Sequence, residues 1–395
     1  MSALIAEPAV RPGLVVARIG DLAAFEGLRE EWTELLQASP SDCLFLTWEW
    51  LASWWRHLAD ARRLSVITVR LGGQLIGLAP LAIRPRSWRR LLPFDGVEFL
   101  GGGVAGSDYL DVIARAGHER RVVTAVGDVL ARDHRPLELH RVRRAASVAA
   151  ALAIDLGRRR WTATERTIDV CPFVTLAGHS WATYLASLGS AHRYNFQRRL
   201  KNLTRQFEVR FEPARTEAER YQALAVLADL HERRWRGRGG SESFATPALR
   251  AFYAEVSARA LERGWLRLFV LTLDGRPAAA LHGYRYGPTF SFYQAGFDPA
   301  LAKHSVGLVA MGLSIKHAIE EGVGEYDLLH GAEPYKFQWA PESRELARIE
   351  AFPESARGRA TARALDVSRT ARRAARRLLG DALANRIVRG RAAQG

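Results

Sequence analysis

The chain has 395 residues, 48% of them hydrophobic, 25% charged and 9% aromatic, a composition that supports two or three buried cores and excludes a disordered or fibrous protein. No apolar run reaches the roughly 18 residues of a membrane span. The only cysteines, Cys43 and Cys171, are too far apart for a zinc motif or a disulfide framework, so no metal is expected and a reducing cytoplasm fits. The net charge of +15 is unevenly spread: after Pro353, eleven arginines face only Glu354, Asp366 and Asp381, and just four of the 57 basic residues are lysine. Such an arginine bias follows from GC-rich coding, so basicity alone argues little for a nucleic-acid partner.

The first residues, MSALIAEPAVRPG, lack a basic stretch followed by a long apolar one, and no signal peptide is expected. Residues 21–37 predict a helix with Asp21 as N-cap, and TWEWLASWWRHL at 47–58 a second, aromatic-rich one. LSVITVRLGGQLIGLAPLAI at 64–83 reads as a hairpin, with Gly72-Gly73 supplying the positive φ angles of a two-residue turn. A strand (VEFLGG, 97–102), a helix (118–132) and another strand (PLELHRV, 136–142) follow, then an Ala-rich helix over AASVAAALAIDL at 145–156.

Next comes a long helical stretch: SWATYLASLG, SAHRYNFQRRLKNLTRQF, then 216–234 and 246–263, expected to pack between two sheet units. Its Gly/Ser-rich loop at 236–244 predicts a mobile segment near a cleft. A second hairpin at 266–286, turning on Asp274-Gly275, matches the first at an offset of 202; a strand (289–297), a helix (306–321) and a strand (EYDLLHG, 325–331) complete it. The order hairpin, strand, helix, strand therefore occurs twice. We expect a duplicated α/β (α+β) chain with a first unit at 1–175, a second at 176–353 holding a helical insert at 180–263, and an Arg-rich helical tail at 354–395. That tail is expected to be dispensable for folding, and its charge suits peripheral contact with an anionic membrane.

Several strings in this order resemble a known group of proteins. They are TWEWLASWW, SDYLDV at 107–112, RYNFQRRLKNL at 193–203, HERRW at 231–235, SVGL at 305–308 and YDLLHGAEPYKFQW at 326–339. The repeat resembles the GNAT acyltransferase fold in tandem, as in Fem-type proteins, and the strings are similar to the CelD-like acetyltransferases of cellulose biosynthesis. The resemblance implies two units, each a mixed, mostly antiparallel sheet flanked by helices. It also implies transfer of an acetyl or other acyl group from acyl-CoA to an amino or hydroxyl group of a small molecule or a polysaccharide or envelope precursor. Two alternatives stand beside it: a Fem-type transferase using aminoacyl-tRNA, and an inactive scaffold of the same fold.

Candidate residues follow. Lys303, Ser305, Val306, Gly307 and Leu308 stand where the resemblance places the pyrophosphate loop of acyl-CoA, though they depart from the usual Gln/Arg-x-x-Gly-x-Gly/Ala pattern. Ser305 is read as a helix cap, and the alternative for the segment is an ordinary capped turn. Period-two alternation places Tyr326, Leu328 and His330 on one face of a strand that ends at His330. The similar family carries Arg-Gly-Asp-Glu-x-Tyr-Lys where this chain has His330-Gly331-Ala332-Glu333-Pro334-Tyr335-Lys336. Glu333 or His330 is read as a general base, Tyr335 as an acid and Lys336 as a substrate anchor, against the plain reading of a Glu333–Lys336 ion pair. Asp108, Tyr109, His231, Trp235 and Tyr293 are candidate substrate contacts. Their alternatives are a turn aspartate, a solvated helix face and a core tyrosine.

Overall fold

The computed structural model describes residues 13–88, 92–144, 147–236, 243–356, 358–363, 367 and 370. The expectations for residues 237–242 and for most of the tail lie outside the described residues.

The first half opens with β1 (Leu14–Ile19), α1 (Leu22–Gly27) and α2 (Arg29–Gln37). Asp21 caps α1, its Oδ1 accepting from Ala24 N at 2.8 Å. The single helix predicted over 21–37 is two, because Leu28 ends α1 and begins α2. Thr47 caps α3 (Trp48–Leu58), which buries Trp48, Trp50, Leu51 and Trp54. After β2 (Arg63–Leu64) come β3 (Val66–Leu71) and β4 (Gln74–Ala79), joined at Gly72 and Gly73 with φ of +56° and +85°. Pro80 then separates β4 from β5 (Leu81–Trp88), and the run predicted as one hairpin is divided between two sheets. A residue without an N–H is suited to such a break.

β1, β3, β4 and β7 (Ile113–Ala114) form a four-stranded sheet. β5 and β6 (Leu92–Phe99) belong instead to an eleven-stranded one. α4 (Glu119–Asp133), β8 (Leu137–Arg143) and α5 (Val148–Arg158) follow, close to the predicted bounds. β9 (Trp161–Thr175) was not predicted, and its polar, charged middle explains why.

The second half runs α6 (Trp181–Ser187), α7 (Ser190–Gln206), β10 (Val209–Pro213), α8 (Glu217–Arg236), α9 (Pro247–Glu262), β11 (Leu266–Leu273), β12 (Arg276–Tyr286), β13 (Thr289–Phe297), α10 (Val306–Glu320), β14 (Glu325–Asp327), α11 (Pro334–Trp339) and β15 (Glu342–Pro353). The large sheet is ordered β10-β11-β12-β13-β14-β9-β15-β8-β6-β5-β2. The expected unit boundary at 175/176 thus falls at the end of β9, which pairs with β14 on one side and β15 on the other. In each half a strand that follows a helix runs parallel to an earlier strand of the large sheet: β8, after α4, with β6, and β14, after α10, with β13. The core crosses the halves as well. The Trp50 ring of α3 meets Phe252 of α9, Tyr284 of β12 and Tyr293 of β13 edge-on, at 5.3, 5.8 and 5.4 Å.

Candidate functional site

β13 and β14 pair only from Thr289 to Ser291 and from Glu325 to Asp327. Beyond that the chain after β14 turns toward β9, where Leu328 N donates to Pro172 O. Where the strands part lies a cavity of about 270 Å³, lined among others by Arg234, Leu281, Phe292, Tyr335 and Trp339. Its remaining wall includes Ser305, Val306, Gly307 and Leu308 at the start of α10. Four of the five residues predicted for the acyl donor therefore meet at one cavity. Lys303, the fifth, sits exposed in the preceding helical turn, with its carbonyl accepting from Arg199 Nη1 at 2.6 Å.

Ser305 does not cap α10: it occupies the N-cap position in the left-handed region, φ +56°, and its side chain accepts nothing from the helix. The first N–H groups of α10 are thus left without that side-chain acceptor, and with the helix dipole they favour an anion. A Cβ on Gly307 would lie 3.3 Å from the Phe297 ring, so the backbone there passes close to the end of β13. Desolvation of the Tyr335 hydroxyl, helped by the charge of Glu333, pushes it up to about 12.

A second cluster lies where the halves meet. Asp108, wholly buried, accepts at Oδ1 from Arg141 at 2.8 Å and at Oδ2 from both the backbone N and the ring Nδ1 of His330, each at 2.9 Å. Burial raises the Asp108 carboxyl, but the His330 and Arg141 contacts outweigh it and hold the group below its ordinary value. Next to it, Tyr109 donates to Asp327 Oδ2 at 2.7 Å, and Leu329 N donates to Asp327 Oδ1 at 2.8 Å. Burial drives Asp327 up to about 6 against those bonds and the charge of Arg344. Lys336 is buried, donates to the carbonyls of Leu329 and His330 at 3.2 and 2.5 Å, and pairs with Glu333 at 3.1 Å.

The strand predicted to end at His330 ends at Asp327. Leu329 lies in the left-handed region, φ +54°, so the period-two alternation does not continue to His330. Tyr293 is the extra residue of a bulge in the β12–β13 pairing, where His282 faces Gln294 and Gly283 faces Phe292. A bulge re-aims a side chain, and the Tyr293 hydroxyl reaches the Ala105 carbonyl of the first half.

His231 and Trp235, on α8, line a second groove of about 800 Å³ together with Tyr221 and Phe244, behind the β13 wall of the first cavity. His231 is buried, lies 3.3 Å from Ala295 O through Nδ1, and is lowered mainly by desolvation. Sequence reasoning missed Arg141, Asp327 and Arg344. Arg141 and Asp327 lay inside strings read as plain strands, Arg344 in a stretch assigned no element, and no local signal marks which buried acid a distant arginine will meet. Among the described residues no group of three or more His, Cys, Asp or Glu side chains is arranged to hold a metal ion, and no helix is long and apolar enough to cross a membrane.

Residues 190–337 match the family described as Acetyltransferase (GNAT) domain. That stretch contains the α10 loop, His330 and the cavity's lining residues other than Trp339. The fold is a tandem GNAT-like one. Three solved structures share it over most of their length. FemX aligns with a TM-score of 0.60 at 10% identity, covering 82% of this chain and 95% of that one. A conserved protein of unknown function from Bacteroides thetaiotaomicron VPI-5482 gives 0.57 at 13%, covering 86% and 100%. The C-terminal domain of a putative lysylphosphatidylglycerol synthetase from Agrobacterium fabrum gives 0.50 at 8%, covering 87% and 95%. None of the curated proteins matches the chain.

Proposed function

We propose that the protein is an acyltransferase that moves an acetyl or other acyl group from acyl-CoA to an amino or hydroxyl group, on a small molecule or an envelope-glycan precursor. The observation that carries this reading is the cavity beside β13, closed at one end by the start of α10. The pantetheine arm is an extended chain with two amides, and among the described residues no strand pairs with β13 beyond Ser291 on the β14 side. Its backbone groups there suit those amides as they would suit an added strand. The pyrophosphate then meets the first N–H groups of α10, with Arg234 and Lys303 adding positive charge. Tyr335 keeps its proton at neutral pH and suits protonation of the departing thiolate.

Calorimetric titration tests the donor. Acetyl-CoA should bind one site per chain, and Gly307→Glu, which adds bulk beside Phe297 and negative charge at the phosphate position, should weaken it at least tenfold without lowering the unfolding temperature. Binding of uncharged tRNA with no binding of acetyl-CoA would favour the aminoacyl-tRNA reading instead. Binding of neither would favour the scaffold.

A further inference from the structure

Asp108 comes from the first half of the chain and His330 from the second, and they meet through three atoms. We propose that they form a proton-accepting dyad across the seam, in which His330 takes the proton of the acceptor nucleophile and Asp108 is its positioning residue. The proposal rests on the acyl-CoA reading above.

Hydrogen bonding fixes the ring. An ionised carboxylate only accepts, so Nδ1, 2.9 Å from Asp108 Oδ2, carries the proton and Nε2 carries the lone pair. The backbone N of His330 donates to the same oxygen at 2.9 Å, which ties the ring's orientation to its own main chain. Arg141 takes the other oxygen, so the acid is fully engaged and contacts no solvent. The His330 side chain is different: it is 33% exposed while that of Asp108 is 0% exposed. The acid is sheltered, while the imidazole is partly open to solvent and its Nε2 lies on the side of the ring away from the carboxylate.

Backbone strain gives independent support. Tyr109, Arg141 and Leu329 all lie in the left-handed region, at φ +58°, +60° and +54°, and each adjoins or bonds the dyad. Residues with side chains are held there only where the surroundings over-determine them, and such positions cluster at functional sites. Leu329 is held by the Asp327 carboxylate on its N–H and by Lys336 on its carbonyl. The ring faces Gly106, whose Cβ, if present, would lie 3.5 Å from Cε1, so the glycine loop of the first half flanks the base. The acceptor accordingly enters at the seam between the halves.

The charged and titratable groups around His330 are Asp108; Arg141 on Asp108; Lys336 on the His330 carbonyl, with Glu333 on Lys336; and the Cys171 thiol, 3.9 Å from Asp108 Oδ2. Beyond them lies the Tyr109–Asp327–Arg344 chain. In the step, Nε2 removes the proton of the attacking N–H or O–H while the nucleophile's electron pair bonds to the thioester carbon. The C–S bond breaks with its pair on sulfur, the thiolate takes a proton from Tyr335, and the imidazolium and tyrosinate re-equilibrate with solvent.

The experiment measures release of CoA thiol from acetyl-CoA, with water and glucosamine as acceptor probes, between pH 5 and 9. Acetyl-CoA binding and thermal unfolding are measured in parallel. We expect His330→Gln to bind acetyl-CoA as wild type does while thiol release falls about 100-fold or more, and imidazole to restore part of the rate to His330→Ala. Asp108→Asn removes the acceptor that orients the ring, so it should lower thiol release in the wild-type background and leave it unchanged in a His330→Ala background. A structural role for Asp108 would lower the rate in both backgrounds. Wild-type thiol release in His330→Gln, an equal loss in both backgrounds from folded Asp108→Asn, or no thiol release from acetyl-CoA bound to the wild type would each overturn the dyad. Failure of the wild type to bind acetyl-CoA at all would instead overturn the donor reading, and the dyad with it.

Discussion

Asp327 and Asp108 lie in the same seam and respond to burial in opposite senses. At Asp108 the contacts with His330 and Arg141 outweigh burial, whereas at Asp327 burial outweighs the bonds of Tyr109 and Leu329 and the charge of Arg344, and the group rises to about 6 from an ordinary 3.8. Between about pH 4 and 6, folded Asp327 holds a proton that the unfolded chain releases, so raising the pH through that window lowers stability. The effect is on the order of 3 kcal/mol. Asp108 acts the other way, since its stabilisation is present above the ordinary carboxylate range and is lost on acidification. Asp327→Asn removes only the first effect. The stability of wild type minus that of Asp327→Asn should therefore decrease as pH rises from 4 to 7, read from urea midpoints; a flat or increasing difference would show that Asp327 ionises normally.

At the scale of elements, glycines mark where helices touch the sheet. A Cβ on Gly296 of β13 would lie 2.6 Å from His231 N and 2.9 Å from the Leu230 carbonyl carbon, both backbone atoms of α8. Backbone cannot rotate aside, so Gly296→Ala should push α8 off the strand and destabilise by about 1–3 kcal/mol. The same shift would disturb Arg234 at the donor cavity, so acetyl-CoA affinity should fall as well. Gly157 in α5 has nothing within 4 Å of its Cβ position, and Gly157→Ala should be neutral or stabilise by about 0.5–1 kcal/mol through helix propensity. Melting temperatures of the pair check this. Equal effects at the two sites would mean that α8 is not seated on β13 as described.

For the whole molecule, β15 decides how the halves cohere. It is the last of the described strands, yet it lies between β9 and β8, both from the first half, and pairs with β9 from Glu342 to Pro353. A fragment of residues 1–175 would leave β8 and β9 with exposed ladders on facing edges, a template for aggregation. We expect that fragment to be aggregated or unfolded by size-exclusion chromatography and circular dichroism. A monomeric, cooperatively folding fragment would show that β15 is an accessory strand. The dyad depends on the same continuity, because Asp108 and Arg141 reach His330 only when the two units share one sheet.

Local chemistry was enough for much of this. The hairpin turns on Gly72-Gly73 and Asp274-Gly275 and the cap at Asp21 depend on residues within a few positions of one another, and all could be read from the sequence. The same holds for the repeated order of elements and for the Glu333–Lys336 ion pair. What could not be read is long-range. β9 and β15 are too charged to look like central strands, and they become central only because each finds the other across 170 or so residues. Asp108 looked like a turn residue near a substrate; that it is buried against Arg141 and His330 depends on how the halves dock, which no spacing in the chain encodes. His330 is expected on an alternating strand, but bonds from Leu328 N to Pro172 O and from His330 N to Asp108 Oδ2 draw the chain to the first half, with Leu329 left-handed between them. Propensity and turn chemistry act over a few residues, whereas desolvation and ion pairing act on whichever groups the fold brings together.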